Sequence, residues 1–114
     1  MYARAAELLL NKGGVSGTEP AKAYWVPGRI EVVGKHTDYC GGNSLLCAVN
    51  KGFTVVSVDR NDSICRIFTT FKDGSEHSIE LPMSADLDPA SYVGARSWAN
   101  YPATAIRRLV RNFG

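Results

Sequence analysis

The chain has 114 residues, 45% of them hydrophobic and 21% charged, which suits one small domain with a single core and is too little for two. Thirteen basic and eleven acidic residues leave a net charge of +2, without the basic stripe that a nucleic-acid or anionic-membrane surface needs. The longest apolar runs, around Phe53–Val56 and Glu31–Val33, fall far short of the about 20 residues that cross a bilayer.

The segment Met1–Leu10 carries Glu7 inside its apolar run, and no small-residue cleavage site follows, so no secretory leader is expected. Cys40, Cys47 and Cys65 are odd in number and form no CxxC zinc pattern. Free thiols in a reducing, cytoplasmic setting are the expectation.

Ala3 to Asn11 is rich in Ala, Glu and Leu and is stopped by Gly13-Gly14, which predicts a short helix. Val15 to Pro20 is a polar link. Ala23–Val26 predicts a strand ending at Pro27, and Ile30–Val33 a second one closed by Gly34. Lys35 to Ser44 is polar, contains glycine and predicts a loop. Leu45–Val49 and Phe53–Asp59 predict two further strands, followed by a turn over Arg60–Ser63. Ile64–Phe71 and Glu76–Leu81 flank Asp73-Gly74, the favoured pair for a hairpin turn. Pro82–Pro89 is a loop. Ser97–Asn112 predicts a helix with Trp98, Tyr101, Ala105, Ile106 and Leu109 on one apolar face. Arg107, Arg108 and Arg111 sit near its C-terminal end, where cations suit the helix dipole. The sum is about five or six mostly antiparallel strands between two helices, an α+β fold.

The densest set of functional groups runs from Arg29 through Glu31, Lys35, His36, Asp38 and Tyr39 to Asn43. Gly34, Gly41 and Gly42 allow close backbone approach to a ligand. His36 and Asp38 are two apart, so in an extended segment they point the same way. A carboxylate accepts hydrogen bonds from two neighbouring hydroxyls, and an imidazole adds one more. Arg29 is a permanent cationic fork suited to phosphate. Such groups hold a polyhydroxylated small molecule beside a phosphate.

The string resembles the first motif of the galactokinase branch of the GHMP small-molecule kinases. That motif runs Pro-Gly-Arg, a spacer, Asn, two apolar residues, then Gly-Glu-His-Thr-Asp-Tyr-Asn-Gly-Gly. Pro27, Gly28, Arg29, Gly34, His36, Thr37, Asp38, Tyr39, Gly41 and Gly42 match it. More weakly, Leu46–Val49 and the segment from Ser97 resemble later parts of the same family. The resemblance implies that residues 1–114 are a partial N-terminal substrate- and ATP-binding domain, roughly the first third of a two-domain kinase. It implies that Arg29 stabilises charge near the transferring phosphate. Asp38 would bind sugar hydroxyls and His36 would orient the substrate, while Lys35, Gly41 and Gly42 complete the substrate loop. It implies ATP and Mg²⁺ for a full-length parent, which would phosphorylate a monosaccharide or derivative.

Three positions depart from the motif. Lys35 stands where the family has a glutamate, and Glu31 and Cys40 replace asparagines. A lysine suits an acidic or already phosphorylated sugar, and Glu31 and Lys35 are placed to pair. The glycine- and serine-rich phosphate loop has no counterpart here, and the family's catalytic aspartate would lie beyond Gly114, so no nucleotide-binding residue is assigned and the fragment is expected to be inactive. No metal site is expected either, since His36 and Asp38 lack further ligands and His77 lies in a hairpin strand. Cys40 near His36 lacks an oxyanion feature and reads as a passive thiol. Besides the sugar-like substrate, no nucleic-acid or membrane partner is expected. Self-association is, because an unfinished domain exposes sheet edge or apolar helix face. Two other readings stand beside the kinase: a non-catalytic sugar-binding or regulatory homologue, motivated by Lys35, and an RNA-binding module, which the weak charge disfavours.

Overall fold

The computed structural model describes residues 2–114, with Asp38 described in its backbone only. Helix α1 (Ala3–Lys12) leads into β1 (Ala21–Val33) and β2 (Leu45–Val58). Then come β3 (Ile64–Thr70), β4 (Glu76–Pro82) and α2 (Asn100–Phe113), with 3₁₀ turns at Asp38–Cys40, Pro89–Ser91 and Gly94–Ala99. Both strand pairs are antiparallel two-stranded sheets, β1 with β2 and β3 with β4. The α+β expectation holds.

The strand count does not. The described residues form four strands, because the predicted breaks at Pro27 and after Val49 lie inside continuous elements. Pro27 pairs with Gly52, and the register shifts between Pro27 and Arg29. Proline is tolerated on edge strands and at bulges, and in a two-stranded ribbon every strand is an edge. A second shift between Glu31 and Val33 bends the far end of the ribbon.

The core sits between the second hairpin and α2. Leu81, Leu87, Ala103 and Ile106 are buried together, with Cys65, Ile67, Ile79, Tyr92 and Val110 packed against them. The odd-numbered residues of β3 and β4 thus face inward, while Arg66 and Glu80 form an ion pair on the outer side. Helix α2 turns Ala103, Ile106 and Val110 to this core. The face expected from sequence is therefore corrected: Tyr101 and Leu109 are exposed, and of that set only Ile106 is buried. The apolar residues of this helix lie on two sides, so periodicity alone could not say which side packs. Pro102 lies in the first turn, where a missing N–H breaks no helical bond.

Helix α1 packs through Leu8 on the sides of β2 and β3. These two strands do not pair. An open cleft of about 1010 Å³ separates them, lined by Leu8, Val56, Ile67 and Trp98 among others. The first hairpin therefore stands away from the core, and all of β1 is exposed. The radius of gyration is 16.6 Å, against about 13 Å for a compact chain of this length. No helix among the described residues is long and apolar enough to cross a membrane.

Candidate functional site

The candidate residues gather at the far end of the first hairpin. The base of this ribbon is fastened by Lys22, whose Nζ donates to both carboxylate oxygens of Asp59 at 2.9 and 3.1 Å. That hydrogen bond raises the Lys22 pKa. Just before the ribbon, the backbone N–H groups of Ser16 and Gly17 donate to Glu19 at 3.1 Å each, which holds its carboxyl below the ordinary range.

Arg29 lies opposite Ala48, immediately after the register shift. It is exposed and makes no ion pair among the described residues. Residues 34–44 then connect β1 to β2. Gly34 has φ of 88° and begins a tight turn in which the Thr37 N–H donates to the Gly34 carbonyl at 3.2 Å. Lys35 and His36 are the two central residues of this turn. His36 adopts φ of 61°, a left-handed conformation that costs a residue with a side chain about 1 kcal/mol or more.

This corrects the premise for His36 and Asp38. The segment between them is a turn running into a 3₁₀ helix, not an extended strand, so a two-residue spacing does not align their side chains. The side chain of Asp38 lies outside the described residues. The His36 and Tyr39 rings are 6.1 Å apart and tilted. The expected pairing of Glu31 with Lys35 does not occur among the described residues, and Lys35 is left exposed to solvent.

Thr37, counted in the sequence only as a motif match, ties the loop together. Its hydroxyl donates to the Gly34 carbonyl at 2.7 Å, and its carbonyl accepts from the N–H groups of Cys40 and Gly42 at 3.0 and 2.8 Å. The Ser44 hydroxyl donates to the same Gly34 carbonyl at 3.0 Å. A hydroxyl three residues after a glycine turn is the local signal that could have marked Thr37. Gly41 takes φ of 79° in open space. Gly42 is required for a different reason: a Cβ there would lie 2.7 Å from the Thr37 Cβ. At Gly34 a Cβ would strike the Asn43 carbonyl and come within 2.8 Å of the Ser44 Cα.

The result is an exposed, internally braced loop that presents an imidazole, an ammonium and a phenol to solvent. None of Arg29, Lys35, His36, Gly41 or Gly42 lines the large cleft beside α1. Cys40 is a free, exposed thiol. Among the described residues, no group of three or more His, Cys, Asp or Glu could hold a metal ion.

Residues 15–57, which contain this loop and the ribbon that carries it, match the galactokinase galactose-binding signature. Over most of its length the chain is similar to galactokinases. It is 33% identical over 93 residues to a galactokinase of Actinobacillus pleuropneumoniae, an alignment covering 82% of this chain and 22% of that protein. It is 34% identical over 98 residues to a galactokinase of Lactiplantibacillus plantarum, covering 82% and 23%. A galactokinase of Staphylococcus carnosus is 37% identical over 93 residues, covering 81% and 22%. The matched part of the chain spans under a quarter of the length of each of these relatives. No solved structure gives a significant match.

Proposed function

We propose that this chain supplies the sugar-holding part of an ATP-dependent sugar kinase of the GHMP class, and that residues 34–44 are its substrate loop. The observation that carries the reading is a coincidence of position. The galactose-binding signature at residues 15–57 encloses the one loop that brings together Lys35, His36 and Asp38 on a hydroxyl-braced backbone.

In this reading His36 orients a sugar hydroxyl and Asp38 accepts hydrogen bonds from ring hydroxyls. Gly41 and Gly42 let the backbone approach the sugar. Arg29, on the strand leading into the loop, stabilises negative charge on the phosphate being transferred. Lys35 adds a cation to the sugar side, which favours an acidic or phosphorylated sugar over galactose itself. Three unpaired thiols suit a reducing, cytoplasmic setting.

ATP and Mg²⁺ belong to the proposal for a longer protein. The residues present do not fit either group. Helix α2 is entered through a 3₁₀ turn containing only Gly94, not a glycine-rich phosphate loop. Among the described residues no acidic cluster offers a Mg²⁺ site. Residues 1–114 alone are expected to lack phosphoryl transfer. The exchange of acid for base at Lys35 favours one further reading, a sugar-binding homologue without catalysis.

Sugar-dependent ADP release separates the two. A longer protein carrying this chain is expected to turn over ATP with galactose, galacturonate or galactose 1-phosphate, and Asp38→Ala is expected to abolish that turnover. Sugar binding without any turnover selects the non-catalytic homologue. Full turnover in Asp38→Ala removes Asp38 from its role.

A further inference from the structure

The Gly34 carbonyl is an unusual hub. It accepts from the Thr37 hydroxyl at 2.7 Å, the Ser44 hydroxyl at 3.0 Å and the Thr37 N–H at 3.2 Å. A carbonyl oxygen has two lone pairs, and the two shortest contacts, both from hydroxyls, satisfy them. The acceptor and the Ser44 donor come from opposite ends of the connection: Gly34 follows β1, and Ser44 precedes β2. The hub therefore fastens the mouth of the loop at the point where it leaves the ribbon. The Asn43 carbonyl lies 3.3 Å from the Thr37 hydroxyl, but that group has one proton and the shorter contact takes it.

Thr37 also controls the far side. Its carbonyl holds the N–H groups of Cys40 and Gly42, and its Cβ occupies the space that any side chain at Gly42 would need. The backbone of His36, Asp38 and Tyr39 is thus placed by bonds that pass through Thr37. None of these bonds is supported by the core, since the whole ribbon stands outside it. A loop without core support holds its shape only through local bonds of this kind.

We infer that Thr37 and Ser44 are positioning residues of the substrate loop, acting through the Gly34 carbonyl rather than by touching the sugar. The inference rests on the reading of residues 34–44 as a sugar loop. Loss of the Thr37 hydroxyl loosens the backbone that carries His36 and Asp38. The affinity for sugar then falls although neither side chain has changed.

The test is an NMR titration of the 114-residue chain with D-galactose, D-galacturonate and D-galactose 1-phosphate as probes, following the amides of residues 34–44. Thr37→Val keeps the shape and removes the hydroxyl, Thr37→Ser keeps the hydroxyl, and Ser44→Ala removes the second donor. The wild-type amides are expected to shift saturably with at least one probe. Thr37→Val is expected to weaken that binding roughly tenfold, Thr37→Ser to restore it within about threefold, and Ser44→Ala to weaken it about threefold. Resonances of the Leu81 and Ile106 core are expected to stay in place throughout, which a general loss of structure would not allow. Thr37→Val binding as tightly as wild type, with wild-type binding intact, overturns the positioning role alone. No response of the wild-type loop to any probe overturns the sugar-loop reading and this inference together.

Discussion

Lys12 Nζ stands 2.6 Å from one carboxylate oxygen of Glu76, while Arg4 Nη2 holds the other at 2.8 Å. Two basic residues of α1 thereby close on the first residue of β4. This clasp orients α1 across the side of the second hairpin, where Leu8 supplies the apolar half of the contact.

The clasp makes the seating of α1 acid-sensitive. The hydrogen bond from Lys12, followed by its charge and that of Arg4, holds the Glu76 carboxyl below the ordinary carboxylate range. A depressed folded-state pKa contributes stability that is complete above the unfolded value and is lost as pH falls through the folded one. Amide resonances of α1 are expected to broaden on acidification through and below the ordinary carboxylate range, and Glu76→Gln to show the loosened state already at neutral pH. A wild-type α1 that stays seated at low pH counts against the clasp.

His36 is expected to show opposite effects on stability and binding. Replacing it with glycine removes a side chain from a left-handed position, and His36→Gly should stabilise the loop by about 1 kcal/mol. The same change removes the imidazole proposed to orient the sugar, so affinity should fall. Amide hydrogen exchange of residues 34–44 and sugar titration on one sample measure both. A variant that loses stability as well shows that the turn is not strained at His36.

The two faces of α2 should respond differently to truncation. Ile106→Ala empties a buried position and is expected to cost about 2–4 kcal/mol. Leu109→Ala acts on an exposed residue and is expected to stay within about 0.5 kcal/mol. Equal losses in urea unfolding would place both faces in the core and contradict the packing described.

The isolated chain is expected to self-associate. Tyr24, Val26, Phe53 and Val55 form cross-strand pairs on one exposed side of the first hairpin, and Tyr101, Leu109 and Phe113 of α2 are exposed. Sedimentation should show mass rising with concentration, and Phe53→Lys should reduce it. A monomer at high micromolar concentration for the wild type sinks this expectation.

Local chemistry made much of the molecule legible in sequence. Asp73-Gly74 announced the β3–β4 hairpin, alanine- and leucine-rich composition announced α1, and apolar residues at three- and four-residue spacing announced α2. Other features depend on non-local pairing. Pro27 reads as a stop until Gly52 is known to lie opposite it. Tyr101 and Ile106 both fall on the face read from spacing, and only packing against Leu81 decides that Ile106 is the buried one. The composition of the loop was readable, and its motif was specific enough to point to the residues that the galactose-binding signature covers. Its shape was not, because a histidine at φ of 61° between two stretches of strand carries no compositional mark.

The distance between ribbon and core has a practical corollary. Residues 34–44 can melt while Leu81 and Ile106 remain packed, so the chain holds two cooperative units with separate free energies of opening. A calorimetric trace dominated by the core passes over a dead loop without a change in midpoint. Conversely, substitutions that raise that midpoint leave a damaged loop unrepaired, and rescue of Thr37 or His36 variants has to come from within the ribbon itself.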